Sequence, residues 1–117
     1  VRSSAKEHGM ENLVEGKIIK DVKILVIEDL ISTGGSSLMA VDALRNSGMS
    51  VLGMLAIFTY GFEIAETNFK KKNVPLHCLT DYNFLLKVAL ERKYIGERDL
   101  KTLNAWHDNP DGWGNRK

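Results

Sequence analysis

The sequence predicts an α/β fold: a Rossmann-like parallel sheet with flanking helices. Three observations carry this reading. Val22-Lys23-Ile24-Leu25-Val26-Ile27 and the run Val51 to Phe58 are nearly continuous in apolar residues, the pattern of strands covered on both faces in a parallel sheet. Each is followed by a glycine-bearing turn and then by apolar residues at helical spacing. Strand and helix signals alternate along the chain, the order that produces parallel sheets with right-handed crossovers.

Val1 to Gly16 keeps neither a strand nor a helix period, and reads as a mobile loop of the kind that carries chemistry. The first strand, Val22 to Ile27, ends at Glu28-Asp29. After Leu30-Ile31, the run Ser32-Thr33-Gly34-Gly35-Ser36-Ser37 turns into a helix with Leu38, Val41 and Leu44 on one face, and Gly48 closes it as a left-handed cap. The second strand is Val51 to Phe58. Gly61 opens a turn into a helix that places Phe62, Ala65 and Phe69 on one side. Lys70-Lys71-Lys72 sit at its C-terminus, where cations suit the macrodipole and read as a solvated end. A short third strand, Leu76 to Leu79, follows Pro75. Asp81 caps a helix from about Tyr82 to Arg92, with Leu85, Val88 and Ala89 inward. Glu97 to Trp106 forms a last helix before Asn109-Pro110-Asp111-Gly112 breaks it. Residues 1–117 read as one partial domain, a mobile loop over 1–16 and an α/β core with C-terminal helices over 17–117. Three strands this apolar call for neighbours on both edges, expected from an absent N-terminal half or a partner subunit.

Composition narrows the function classes. The 117 residues are 44% apolar and 26% charged, with 16 Lys+Arg against 15 Asp+Glu, which is globular rather than disordered. A net charge of +1 gives no field that would draw nucleic acid, so any anion site must be local. No apolar run approaches the roughly 20 residues of a membrane span. The single cysteine, Cys78, excludes an internal disulfide and fits a reducing, cytoplasmic setting.

The densest signal is Ile24-Leu25-Val26-Ile27-Glu28-Asp29-Leu30-Ile31-Ser32-Thr33-Gly34-Gly35-Ser36-Ser37. Ligands of parallel sheets lie beyond the carboxyl ends of the strands, where Glu28 and Asp29 are expected. Carboxylates accept hydrogen bonds from a sugar diol. The turn after them can offer backbone N–H groups to a phosphate, with hydroxyls from Ser32, Thr33 and Ser36. Gly34 and Gly35 permit close approach, and the helix adds its positive end. An ordinary strand-to-helix connection would need only part of this set; together the parts describe a ribose 5-phosphate site. Upstream, Arg2, Lys6 and His8 are three basic side chains close together. A solvated loop is the bland account. A loop that closes over pyrophosphate and stabilises leaving-group charge is the account that the neighbouring cradle favours.

This motif resembles the phosphoribosyl pyrophosphate (PRPP) signature of type I phosphoribosyltransferases. Arg2-Ser3-Ser4-Ala5-Lys6-Glu7-His8-Gly9 resembles the catalytic loop of the orotate phosphoribosyltransferase family, and Phe58-Thr59-Tyr60-Gly61 resembles its bacterial members. The resemblance spans nearly the whole chain. It implies a partial type I phosphoribosyltransferase fold and a pentosyltransferase that moves ribose 5-phosphate from PRPP to orotate, giving orotidine 5′-monophosphate and pyrophosphate in pyrimidine biosynthesis. Glu28 and Asp29 are implied to hold the ribose hydroxyls. Ser32, Thr33, Gly34, Gly35 and Ser36 are implied to hold the 5-phosphate, with Ser32 also near orotate. Arg2, Lys6 and His8 are implied to reach the pyrophosphate, Lys6 and Arg2 as catalytic residues. Mg2+ is implied to arrive on the substrate, with no direct protein ligand. A cytoplasmic homodimer is implied, the loop acting in the neighbouring subunit.

Members of the family are nearly twice as long, so the resemblance implies a C-terminal part, expected to be inactive alone. Ser3 stands where some members have a second basic residue, and Tyr60 where some have an Arg for the orotate carboxylate. A phosphoribosyltransferase for another base and a non-catalytic nucleotide sensor stay open, although a sensor has no leaving group for Lys6 and His8 to clamp.

Other features read as structural. Six residues stand between Gly9 and Gly16 where a P-loop has four, and Ile18 offers no hydroxyl to a cation. His77 beside Cys78 reads as a packed core residue, and His107 lacks companion ligands. Trp106 and Trp113 read as packing groups rather than a nucleic-acid platform.

Overall fold

The computed structural model describes Val1 and residues 14–113. The chain runs β1 (Lys23–Ile31), α1 (Gly35–Asn46), β2 (Ser50–Thr59), α2 (Glu63–Lys71), β3 (Leu76–Asp81), α3 (Tyr82–Glu91) and α4 (Glu97–Asp108). The strands form one sheet in the order β1-β2-β3, and both neighbouring pairs are parallel. Branched apolar residues suit this pleated surface. In register, Val26 meets Met54 and Met54 meets Leu76; one step on, Glu28 meets Ala56 and Ala56 meets Cys78.

The sheet buries one face. Leu38 and Val41 of α1 and Ala65 and Phe69 of α2 close over Ile31, Met54 and Ala56, with Val74 completing the core. Two contacts join the helices at the far end. Arg45 donates to the carbonyls of Lys72 (2.6 Å) and Asn73 (3.2 Å), satisfying the C-terminal end of α2, and Lys72 pairs with Asp42 at 2.9 Å. Of the three lysines there, Lys72 is therefore engaged rather than simply solvated. Gly48, with φ +89°, closes α1 as expected.

The other face departs from expectation. Leu25, Ile27, Ile57 and Leu79 share it with His77, and they are 49%, 70%, 54% and 75% exposed. Within this stretch α1 and α2 both pack on one side of the sheet, and the cover expected for the other face does not come from the described residues. His77 is corrected from core residue to exposed surface. Strand alternation turns it away from Cys78, which packs against the core and whose thiol is pushed up in pKa by burial and then by Asp81.

β1 also runs further than expected. Leu30 pairs with Phe58 and Ile31 with Thr59, so Glu28 and Asp29 lie inside the strand rather than after it. The ladder to β2 holds them extended despite their weak strand preference.

The carboxyl end of β2 meets the C-terminal helices in an aromatic cluster. Tyr60 and Phe62 follow β2, Tyr82 opens α3, and Trp106 and His107 end α4. The His107 ring lies between Phe62 (4.9 Å) and Tyr82 (4.8 Å), stacked on both. Asp81 caps α3, accepting from the Phe84 amide at 2.9 Å. Removing that cap by Asp81→Ala is expected to cost about 1 kcal/mol, read as a small fall in midpoint by chemical denaturation.

Candidate functional site

The C-terminal end of β1, the connection Ser32–Gly34 and the first turn of α1 bring the predicted cradle residues together. Glu28 is half-buried on the helix-covered face. Its Oε2 accepts from the Ser37 hydroxyl at 2.8 Å, and its Oε1 accepts from the Asp29 amide at 3.0 Å. Asp29 is exposed, as are Ser32, Thr33, Gly35 and Ser36. The end of β1 and the turn after it therefore carry two carboxylates and three hydroxyl side chains within one short stretch.

Gly34 fixes how the turn enters the helix. It is buried at φ +85°, the left-handed region, and a Cβ built on it would lie 2.7 Å from Cε2 of Phe69. Both facts call for glycine. The carbonyl of Gly34 accepts the first helical bond, from the Leu38 amide at 2.9 Å. Amides in a helix's first turn lack intrahelical acceptors, and this first turn holds no acidic side chain to neutralise its positive end. Thr33 is held from both sides. Its carbonyl accepts from Asn68 of α2 at 3.2 Å, and its hydroxyl accepts from the Gly35 amide at 3.4 Å.

The turn after β2 is latched alongside. The Tyr60 amide donates to the Ile31 carbonyl at 3.1 Å, and His107 Nε2 donates to the Tyr60 carbonyl. Between these turns and the end of α4 lies an open cavity of about 460 Å3, lined by Thr33, Phe62, Glu63, His107, Pro110 and Asp111. A second, of about 500 Å3, lies between α2 and β3, with Phe69 and Cys78 in its wall.

Glu28, Asp29, Ser32, Thr33, Gly34, Gly35 and Ser36 thus lie close together, the first two on β1 and the others on the connection and the first turn of α1. Arg2, Lys6 and His8 lie outside the described residues. Ser37, Asn68 and His107 are contacts that the sequence reading passed over. Ser37 carried a signal: it stands four residues before Val41, on the same buried stripe of α1. Asn68 and His107 carried none, because their partners lie on other elements. Among the described residues, no group of three or more His, Cys, Asp or Glu side chains could hold a metal ion, and no helix is long and apolar enough to cross a membrane.

Comparison with known proteins bears on what this connection does. No family model matches the chain. The chain is 55% identical over 113 residues to the orotate phosphoribosyltransferase of Cytophaga hutchinsonii, which covers 97% of this chain and 54% of that protein. It is 54% identical over 113 residues to the orotate phosphoribosyltransferase of Bacteroides fragilis, covering 97% of this chain and 53% of that protein. The chain therefore spans about half the length of the curated relatives it matches. Among solved structures, the orotate phosphoribosyltransferase of Aeropyrum pernix superposes with a TM-score of 0.66 at 26% identity, covering 81% of this chain and 51% of that one.

Proposed function

The chain is homologous to the orotate phosphoribosyltransferases over nearly its whole length and carries part of the type I phosphoribosyltransferase fold, and from that premise we propose that its protein transfers ribose 5-phosphate from PRPP to orotate. The products are orotidine 5′-monophosphate and pyrophosphate. One observation supports the reading: Glu28 and Asp29 lie near the carboxyl end of a parallel strand that runs on through Leu30 and Ile31 into a hydroxyl- and glycine-rich turn, whose helix starts without an acidic residue.

Cleavage at the anomeric carbon builds positive charge on the ribose and negative charge on pyrophosphate, so catalysis is placement plus charge stabilisation. Glu28 and Asp29 accept from the ribose hydroxyls and fix the ring. Ser32, Thr33, Gly34, Gly35 and Ser36 anchor the 5-phosphate with hydroxyls and amides, and Ser32 also reaches toward orotate. Arg2, Lys6 and His8 approach the leaving pyrophosphate, Lys6 and Arg2 stabilising its charge. No protein nucleophile takes part. PRPP enters as its Mg2+ complex, and no protein side chain is assigned to the ion. In this reading the enzyme is a cytoplasmic homodimer whose loop serves the neighbouring subunit's site.

Titration calorimetry with PRPP and Mg2+ on the complete protein tests the assignment. Asp29→Asn is expected to weaken binding about tenfold or more, because an amide replaces a charge-assisted acceptor. Unaltered affinity in that variant would refute the role given to Asp29.

A further inference from the structure

Ser37 is buried, 3% exposed, and is the one buried polar residue in the core among the described residues. A hydroxyl in that position has a desolvation cost unless it is bonded. Its bond runs outside its own helix, to Glu28 Oε2 at 2.8 Å, nine residues back along the chain. The Asp29 amide holds Oε1 of the same carboxylate at 3.0 Å. Each carboxylate oxygen has two lone pairs, so one donor on each oxygen fixes the plane of the group and leaves an acceptor site on each for a ligand. A glutamate otherwise has three side-chain torsions to order on binding, and that ordering opposes affinity.

We propose that Ser37 is a positioning residue for Glu28: its hydroxyl locks the carboxylate in the orientation that receives the ribose diol. The bond also spans the cradle, joining the end of β1 to the first turn of α1 across Ser32–Ser36. Ser37 touches no substrate in this arrangement and acts through Glu28 alone. The proposal rests on the PRPP reading of the site, and the experiment separates the two.

The experiment is a double-mutant cycle of Ser37→Ala and Glu28→Ala in the complete protein. Affinity for PRPP with Mg2+ and for inorganic phosphate is measured by calorimetry, and kcat and KM by assay. Ser37→Ala is expected to weaken PRPP binding and raise its KM by about tenfold. Phosphate affinity should stay within about twofold of the parent, since the amides of the turn are untouched. In the Glu28→Ala background, Ser37→Ala should add nothing. Ser37→Cys, close in volume but a poor donor, should behave as Ser37→Ala does. Equal loss of PRPP and phosphate binding would mean that Ser37 only supports the turn, and would overturn the proposal. So would parental PRPP affinity in Ser37→Ala alongside weakened binding in Glu28→Ala. PRPP binding unaffected by Glu28→Ala would overturn the site reading itself, and the positioning role with it.

Discussion

Gly34→Ala is expected to destabilise the protein by about 2–6 kcal/mol and, on the proposed reading, to distort the phosphate cradle. Two costs add. A side chain at φ +85° carries roughly 1–3 kcal/mol of backbone strain. The new Cβ would also stand 2.7 Å from the ring of Phe69, which is 3% exposed and enclosed by the core, and overpacking of that kind costs roughly 1–3 kcal/mol. Gly61→Ala is the internal control. Gly61 has φ +70°, but nothing lies within 4 Å of its added Cβ, so only the backbone cost applies. Thermal unfolding of the two variants separates the contact from the strain. Equal losses at the two positions would show that the Phe69 contact is without consequence. On the proposed reading, phosphate affinity should fall in Gly34→Ala as the turn shifts its amides to relieve the contact.

The second large effect is kinetic. On the proposed reading, Lys6→Ala lowers kcat by about 10²–10³-fold, the scale seen when one preorganised donor to developing negative charge is removed. The loss belongs to turnover rather than to folding, so the denaturation midpoint should hold while single-turnover transfer collapses. Parental kcat in that variant would remove Lys6 from the mechanism.

Much of the architecture was legible because it rests on local periodicity. The stripe Leu38 and Val41 predicted the buried face of α1, and Ala65 with Phe69 that of α2, since a 3.6-residue repeat records which side meets the sheet. The candidate site could be proposed from sequence for another reason: residues 28–36 form one stretch of chain, so no long-range information was needed to bring them together. What escaped notice depends on partners distant in sequence. Asn68 reaches the Thr33 carbonyl from 35 residues away, and His107 reaches Tyr60 from 47 away. His77 was misread because an apolar run does not say which of its two faces is covered; alternation alone decided that. The end of β1 was misread because acidic residues disfavour strands in isolation, whereas the pairing of Leu30 with Phe58 overrides that preference.

The exposed apolar face of the sheet ties the stability of this stretch to whatever packs on it. Burying a Leu or Ile side chain contributes about 1.5–3 kcal/mol, and Leu25 keeps nearly half of its surface in water while Ile27, Ile57 and Leu79 keep more than half. Their combined cover is worth on the order of 5 kcal/mol, as large as the net stability of many domains. Stability therefore follows mass action, rising with the concentration and affinity of whatever occupies the face. Glu28 and Asp29 stand on the strand that carries two of those residues. On the proposed reading, cover of that face and PRPP binding are thermodynamically linked, each strengthening the other.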